Sequence, residues 1–258
     1  MFQYEQCAFT ELASFDAYLA SLSAPIESFM EDHFLASACY RIVINDEDCG
    51  SFAVHEDCLL THFYLVTQVR RYGQLIFQRV LKEFKITAAL VPTCDEFFLS
   101  HALDTDADIK RQAYFFVDGG DPDPPEIYDE MIFRRAVPFD TGGIGEISGT
   151  FVDDLDARIR NGQVHVGHHN GVMVAVGMVL RDVLLDQHAS IGMFTHVDYR
   201  KMGVGTCTIL YLKRICKSRD LVPLAGCGYS NIESKKTLEA AGMVTSTRLL
   251  RFEFGPIE

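Results

Sequence analysis

Ala189-Ser190-Ile191-Gly192-Met193-Phe194-Thr195-His196, followed by Val197-Asp198-Tyr199 and then Arg200-Lys201-Met202-Gly203-Val204-Gly205-Thr206, is the stretch that decides the fold. Strand material stops at Thr195-His196, and a short connection leads to two glycines that open a helix expected over about 204–217. The first turn of a helix leaves backbone N–H groups without intrahelical partners and carries the positive end of the helix dipole. The pattern Arg200-x-x-Gly203-x-Gly205 therefore reads as an anion cradle, because a residue without Cβ lets the backbone approach a pyrophosphate closely. Arg200, Lys201 and the Thr206 hydroxyl add donors. The competing phosphate loops fail on spacing. No third glycine stands at the dinucleotide-binding interval, and no Gly-Lys-Ser/Thr follows.

Working outward, Ile132 to Val137 reads as a strand and Phe151 to Arg160 as a helix, with apolar Phe151, Val152, Leu155 and Ile159 at helical spacing. Val164 to His168 and Val172 to Leu180 are β-rich runs joined at Asn170-Gly171, a dipeptide that accepts the positive φ of a tight hairpin turn. Strand material follows over Leu184 to Thr195. Beyond the glycine helix come a short apolar strand at Val222 to Ala225, a helix over about Ile232 to Ala241 closed by Gly242, and a strand at Arg248 to Phe254. The stripe Ile209, Leu210, Leu212, Ile215 and Cys216 is core under a sheet.

This order of elements resembles the GNAT N-acetyltransferase superfamily. The resemblance rests on the Gln/Arg-x-x-Gly-x-Gly/Ala loop and, downstream, a strand and a helix with Asn231, Ser234 three residues later and Gly242 eleven later. It is strong over about 189–243 and faint over 1–117. It implies an α/β fold with a mixed sheet that splays after its fourth strand, here Ala189–Thr195, with the pantetheine arm of acetyl-CoA in the split. Phe194, Thr195 and His196 would then contact the cofactor, as would Arg200, Lys201, Met202, Gly203, Val204, Gly205 and Thr206, with Asn231 and Ser234 on its far side. A helix N-cap is an equally good account of Asn231, which directly precedes Ile232.

The resemblance also implies the reaction: direct attack of an amine on the acyl thioester, with acetyl-CoA as donor and no metal. Such a site must take a proton from an ammonium, stabilise an oxyanion and release a thiolate. Backbone N–H groups near Thr195 would serve the oxyanion. The family's usual acid, a tyrosine seven residues after the Asn, is replaced by Leu238, and its frequent fourth-strand Glu has no counterpart in 189–195. Tyr229 or Cys227, at the strand-to-helix turn, would take the acid's place, and Glu146 in the loop before the second helix, His196 or water the base's.

The first half repeats the pattern in weaker form. Tyr40 to Ile44 and Ser51 to His55 flank a turn at 45–48, Leu59 to Val66 is the next strand, and a helix spans Tyr72 to Phe84. Ala88 to Val91 and Ala113 to Val117 supply later strands. Arg70 and Gly73 stand 130 positions before Arg200 and Gly203. Leu75 then falls where the second glycine belongs, and Asp95-Glu96-Phe97-Phe98 where Asn and Ser belong, so this half is read as a degenerate copy that does not bind coenzyme A. Asp118-Gly119-Gly120-Asp121-Pro122-Asp123-Pro124-Pro125 breaks regular structure. The expected organisation is two tandem GNAT-like domains: 1–117 degenerate, 118–126 linker and 127–258 acetyl-CoA-binding.

Net charge is −13, carried almost wholly by residues 1–125, which hold 8 Lys/Arg against 20 Asp/Glu. That balance disfavours nucleic acid and anionic membranes as partners and favours a small cationic amine acceptor such as a polyamine, an aminoglycoside-like compound or a lysine side chain. A homodimer is left open. Eight cysteines without a CxxC pair read as reduced core thiols, and the absence of a signal-like start or a long apolar run points to a cytoplasmic protein. His165, His168 and His169 invite a metal reading, but on a strand His168 points away from the other two. Two other classes of function stand beside the enzyme: a non-catalytic acyl-CoA sensor, which Leu238 favours, and an interaction module with a vestigial loop.

Overall fold

The computed structural model of the protein describes residues 2–12 and 14–255. By its contacts the chain divides into two compact units, one holding the chain up to Tyr114 and again from Thr247 onward, the other Phe115–Ser246. The strand that closes the sequence was expected to complete the second half. From Thr247 it is counted with the first unit.

In the first unit, β1 (Phe2–Cys7), β2 (Ala38–Ile44), β3 (Glu47–His55) and β4 (Leu59–Leu65) form an antiparallel run. The β2–β3 connection is a two-residue turn with φ 52° at Asn45 and 65° at Asp46, the left-handed pair that matches the twist of a hairpin. Between β1 and β2 lie α1 (Phe15–Ser21) and α2 (Ser28–Leu35), which the sequence reading left unassigned. α3 (Gly73–Glu83) buries Ile76, Phe77, Val80 and Leu81, the spacing of one helical face. β5 (Ala88–Pro92) pairs parallel with β4, and α4 (Glu96–Leu103) follows. The core contains Phe52, Phe63, Phe77, Phe98 and Phe252, all fully buried. β6 (Asp108–Asp118) begins in this unit and ends in the second.

In the second unit, β7 (Met131–Arg135), β8 (Val164–His169), β9 (Val172–Arg181) and β10 (His188–Thr195) are antiparallel, and β11 (Val222–Gly228) joins β10 in parallel. Asn170 and Gly171 take φ 49° and 80° at the β8–β9 turn, as the dipeptide required. α7 (Val204–Lys217) covers one face of this sheet. Its Leu212 lies where a Cβ on Gly177 of β9 would fall, at 3.0 Å. The other face carries α5 (Thr141–Ser148) and α6 (Leu155–Arg160), whose Ile144 and Ile159 pack with Val164, Val166 and Val176. A helix was expected to begin at Phe151; it begins at Leu155, and α5 precedes it with Gly142, Gly143 and Gly145 inside. α8 (Ile232–Ala240) ends before Gly242, at φ 77°. β12 (Met243–Glu253) follows, with Leu249–Glu253 paired antiparallel to Pro92–Ala88 of β5.

The expected linker is held firmly. Lys213 on α7, fully buried, reaches Asp118 at 2.8 Å, Asp121 at 3.1 Å and the Ala241 carbonyl at 2.9 Å, and also bonds to the Gly120 carbonyl. Lys217 meets the same two aspartates at 3.1 and 2.7 Å.

Candidate active site

Strands β10 and β11 pair only over His188–Ser190 and Val222–Leu224. Beyond that point both continue, β10 to Thr195 and β11 to Gly228, with no further paired residues between them. Their facing backbone groups are therefore available to an extended ligand arm lying in the split.

The loop after β10 delivers donors to the head of that split. Val197–Tyr199 forms a 3-10 turn, Lys201 takes φ 66° and Gly203 φ 88°, and α7 starts at Val204. The first i→i−4 bond of α7 runs from the Cys207 N–H to the Gly203 carbonyl, so helix geometry gives the N–H groups of 204–206 no intrahelical acceptor. Both glycines are required, for reasons different from close approach of a pyrophosphate alone. Gly203 combines its left-handed φ with Pro125 at 2.9 Å from a built Cβ. Gly205 lets α7 close on Thr237 of α8 and Met193 of β10, at 3.0 and 3.1 Å. That contact sets Thr237, and Ser234 one turn before it, beside the cradle.

Arg200 donates from Nε to the Thr195 carbonyl at 3.4 Å, with its guanidinium 5.5 Å from the Phe194 ring centroid. Lys201 and Met202 are exposed, and Thr206 is half-buried at the third position of the helix. His196 Nδ1 accepts the Asp198 N–H at 3.2 Å; the neutral ring then carries its proton on Nε2 and presents a donor, which weighs against a role as base. Asn231 is the N-cap of α8, accepting the Ser234 N–H at 3.1 Å.

The candidate acid and base are less firmly placed. Tyr229 lies half-buried in the turn from β11 to α8, and Cys227, the other candidate acid, is buried one residue from the end of β11. Leu238 is buried core. Glu146 is exposed on α5, within a helix rather than the loop expected there. A depression of about 440 Å³ beside the loop is lined by Pro125, Glu126, Ile127, Glu130, His169 and Met202. Its two glutamates oppose a phosphate, so the split is the better candidate. Among the described residues no group of three His, Cys, Asp or Glu side chains is placed to hold a metal. His165 bonds to Tyr211 Oη at 3.0 Å and His169 to Glu130 at 2.8 Å, while His168 feels Arg134 and Asp140. No helix among the described residues is long and apolar enough to cross a membrane.

The first unit repeats the split. β4 and β5 pair only at Leu59–Leu60 and Ala88–Ala89. Arg70 donates from Nε to the Leu65 carbonyl at 3.1 Å, and its guanidinium lies 5.5 Å from the Tyr64 ring, the same two contacts Arg200 makes 130 residues later. Here, however, Phe97 of α4 covers the guanidinium at 4.9 Å. The His101 imidazole lies 2.0 Å from a built Cβ on Gly73. Gly73 was matched to Gly203 in the sequence. By its place at the helix start and its contact with the sixth residue of the following helix, it corresponds instead to Gly205, with His101 in the place of Thr237.

Gly192 escaped the sequence reading. A glycine inside a strand, away from any turn, is the signal that marks it.

Residues 10–119 match the family model described as an acetyltransferase (GNAT) domain. Among solved structures, the chain is similar to a GNAT-family acetyltransferase from Colwellia psychrerythraea, with TM-score 0.83 and 17% identity over 98% of this chain and 100% of that one. A GCN5-related N-acetyltransferase from Sphaerobacter thermophilus gives TM-score 0.68 and 13% identity, over 98% and 95%. A tandem GNAT protein from the clavulanic acid biosynthesis pathway gives 0.65 and 13%, over 99% of each chain. No curated protein sequence matches.

Proposed function

We propose, from the premise that this chain carries a GNAT acetyltransferase domain in residues 10–119 and folds over nearly its whole length as tandem GNAT proteins do, that its second unit transfers an acetyl group from acetyl-CoA to a primary amine. The observation that carries the reading is the split between β10 and β11 with the Arg200–Thr206 loop at its head. In this reading the pyrophosphate lies on the N–H groups of 204–206 with Arg200, Lys201 and Thr206 around it, and the pantetheine arm runs along Phe194–His196. Asn231 and Ser234 stand on the far side.

The amine nitrogen attacks the thioester carbonyl, the tetrahedral oxyanion is met by backbone N–H near Thr195, and the C–S bond breaks. The ammonium proton leaves through Glu146 or water, and Tyr229 returns a proton to the thiolate. A thiol of pKa ~8.5 is a fair leaving group, so the acid helps without being indispensable. The chain's net charge of −13 favours a cationic acceptor.

A second reading, a non-catalytic acyl-CoA sensor, is favoured by one observation: the family's acid position holds Leu238, buried in the core. Turnover of acetyl-CoA against amines separates the two.

The first test is the thermal midpoint with and without acetyl-CoA, for the native chain and for Thr206→Asp. An acidic residue in the first helical turn favours the helix, so the variant folds, yet it repels a pyrophosphate. The expected result is a rise of midpoint with acetyl-CoA in the native chain and none in the variant. An unchanged midpoint in the folded native chain would refute both readings.

A further inference from the structure

Among the described pairings β7 has a neighbour on one side only, β8. The bond from the Ala136 N–H to the Val164 carbonyl, 2.9 Å, fixes which backbone groups face that neighbour. Residues 136 and 164 stand opposite each other in the register that sets Arg135 against His165, and bonded and non-bonded pairs alternate along an antiparallel ladder. Ile132, Arg134 and Ala136 therefore direct their N–H and C=O groups to β8, and Met131, Phe133 and Arg135 turn theirs to the open edge. Two of these outward groups are satisfied within the chain. The Met131 N–H donates to the Tyr128 carbonyl, and the Arg135 carbonyl accepts from Arg134 Nη1 at 3.2 Å. The Met131 carbonyl, both Phe133 groups and the Arg135 N–H remain.

That set is complementary to itself. When two such edges run antiparallel about a two-fold axis at Phe133, Phe133 faces Phe133 of a second copy and Arg135 faces its Met131. The two Phe133 residues exchange N–H···O bonds, each Arg135 N–H meets a Met131 carbonyl, and the groups already satisfied fall opposite each other. A shift of the register by two residues either way sets a Phe133 group against one of those occupied groups. The side chains favour the same arrangement. Ile132 and Arg134 lie on the face that carries α5 and α6, since Ala136 on that face packs with Ile144 and Ile159. Arg134 binds Asp140 at 2.6 and 2.7 Å and so holds the turn Pro138–Asp140 that bears Phe139. Phe139, 96% exposed, is the most exposed large apolar side chain among the described residues, and Ile132 is 68% exposed. In the centred register Ile132 of the second copy stands opposite Arg134, beside that turn, so association covers both.

Charge permits this edge and opposes the other one. The charge of Arg134 is answered by Asp140, and residues 126–258 hold 15 Lys/Arg against 16 Asp/Glu. β1, also paired on one side only, belongs to the half with 8 against 20, where two copies repel. We propose that two copies of the chain join through their β7 edges about a two-fold axis at Phe133, as a closed isologous dimer with one ladder running across the axis. The inference involves neither the glycine loop nor the split and so stands apart from the acetyltransferase reading.

The experiment is analytical ultracentrifugation of the full chain from nanomolar to tens of micromolar, for the native sequence, Arg135→Pro and Ile132→Lys, with thermal unfolding to show that each is folded. Proline at 135 removes an N–H that faces away from β8, a position where an edge strand accepts it. Lysine at the exposed position 132 sets a second cation against Arg134 of the other copy. The expected result is a native mass of twice 29.0 kDa, a dissociation constant raised at least tenfold in both variants, and slower amide exchange at Phe133 and Arg135 as the native concentration rises. A native chain that stays monomeric overturns the inference, as does an assembly larger than a dimer or exchange at Phe133 that ignores concentration. A folded variant that keeps the native dissociation constant overturns it too, and Ile132→Lys decides alone if Arg135→Pro fails to fold.

Discussion

Asp95 is the N-cap of α4, its Oδ1 accepting the Phe98 N–H at 2.9 Å, and it is nearly enclosed beside Tyr18. Burial raises its carboxyl from 3.8 to about 7, against the opposing pull of the Phe98 N–H and the Tyr18 hydroxyl. A carboxyl raised in the folded state binds protons more tightly there than in the unfolded chain. Its ionisation therefore costs stability, beginning above pH 3.8 and complete above about 7, on the order of 4 kcal/mol at most. Asn keeps the cap without the charge. Asp95→Asn is expected to raise the urea midpoint at pH 8 and to leave it unchanged at pH 4; an equal effect at both values would show that ionisation is not the cause. At this scale the sequence was legible where a residue acts through the backbone beside it. Gly203 opens α7 at a positive φ and Asn231 caps α8, as their places before those helices implied, whereas the contact of Phe151 with Gly192, 41 positions later, is one that no local pattern links.

α7 and α5 show what decides legibility for an element. The bounds of α7 were readable because Gly203 marks its start and Val204, Cys207, Leu210 and Leu212 keep a buried stripe. α5 was missed because three of its eight residues are glycine, which favours the unfolded chain by ~0.5–1 kcal/mol each relative to alanine. A Cβ on Gly142 or Gly145 meets nothing within 4 Å, so neither is required by packing. Gly145→Ala is accordingly expected to stabilise the second unit by ~0.5–1 kcal/mol, read as a higher thermal midpoint. A lower midpoint would show that the backbone at 145 needs a freedom the helix does not reveal. Gly149, at φ 57°, is a different case, since a side chain is strained there whatever the space around it.

At the scale of the whole molecule, the tandem arrangement was visible in the repeated order of elements, while the division of the chain was not. The linker composition of 118–125 drew attention to a boundary that Lys213 and its aspartates bind into the second unit. The family model matches the half whose cradle is closed by Phe97 and His101. A repeated fold with different loop chemistry in its two copies accommodates both facts, because fold and site are separable. The last strand carries the larger consequence. Leu249 and Phe252 are fully buried, and Phe252 belongs to the aromatic core of the first unit. Burial of each such side chain contributes roughly 1.5–3 kcal/mol. A chain ended after Ser246 is therefore expected to lose amide protection in β5, early in the sequence, before β8 and β9. Hydrogen exchange reads this directly, and protection of β5 equal to that of the full chain would refute it.

The same strand bears on how the protein is made. Domains ordinarily fold from the N-terminal end as they leave the ribosome. Here roughly 130 residues separate Tyr114 from Thr247, so at ribosomal speed the first unit waits on the order of ten seconds for the segment that pairs with β5. Throughout that interval the β5 edge and the place of Phe252 in the core are open to other chains, which makes the nascent first unit a client for chaperones and gives the second unit, although later in sequence, the chance to finish first.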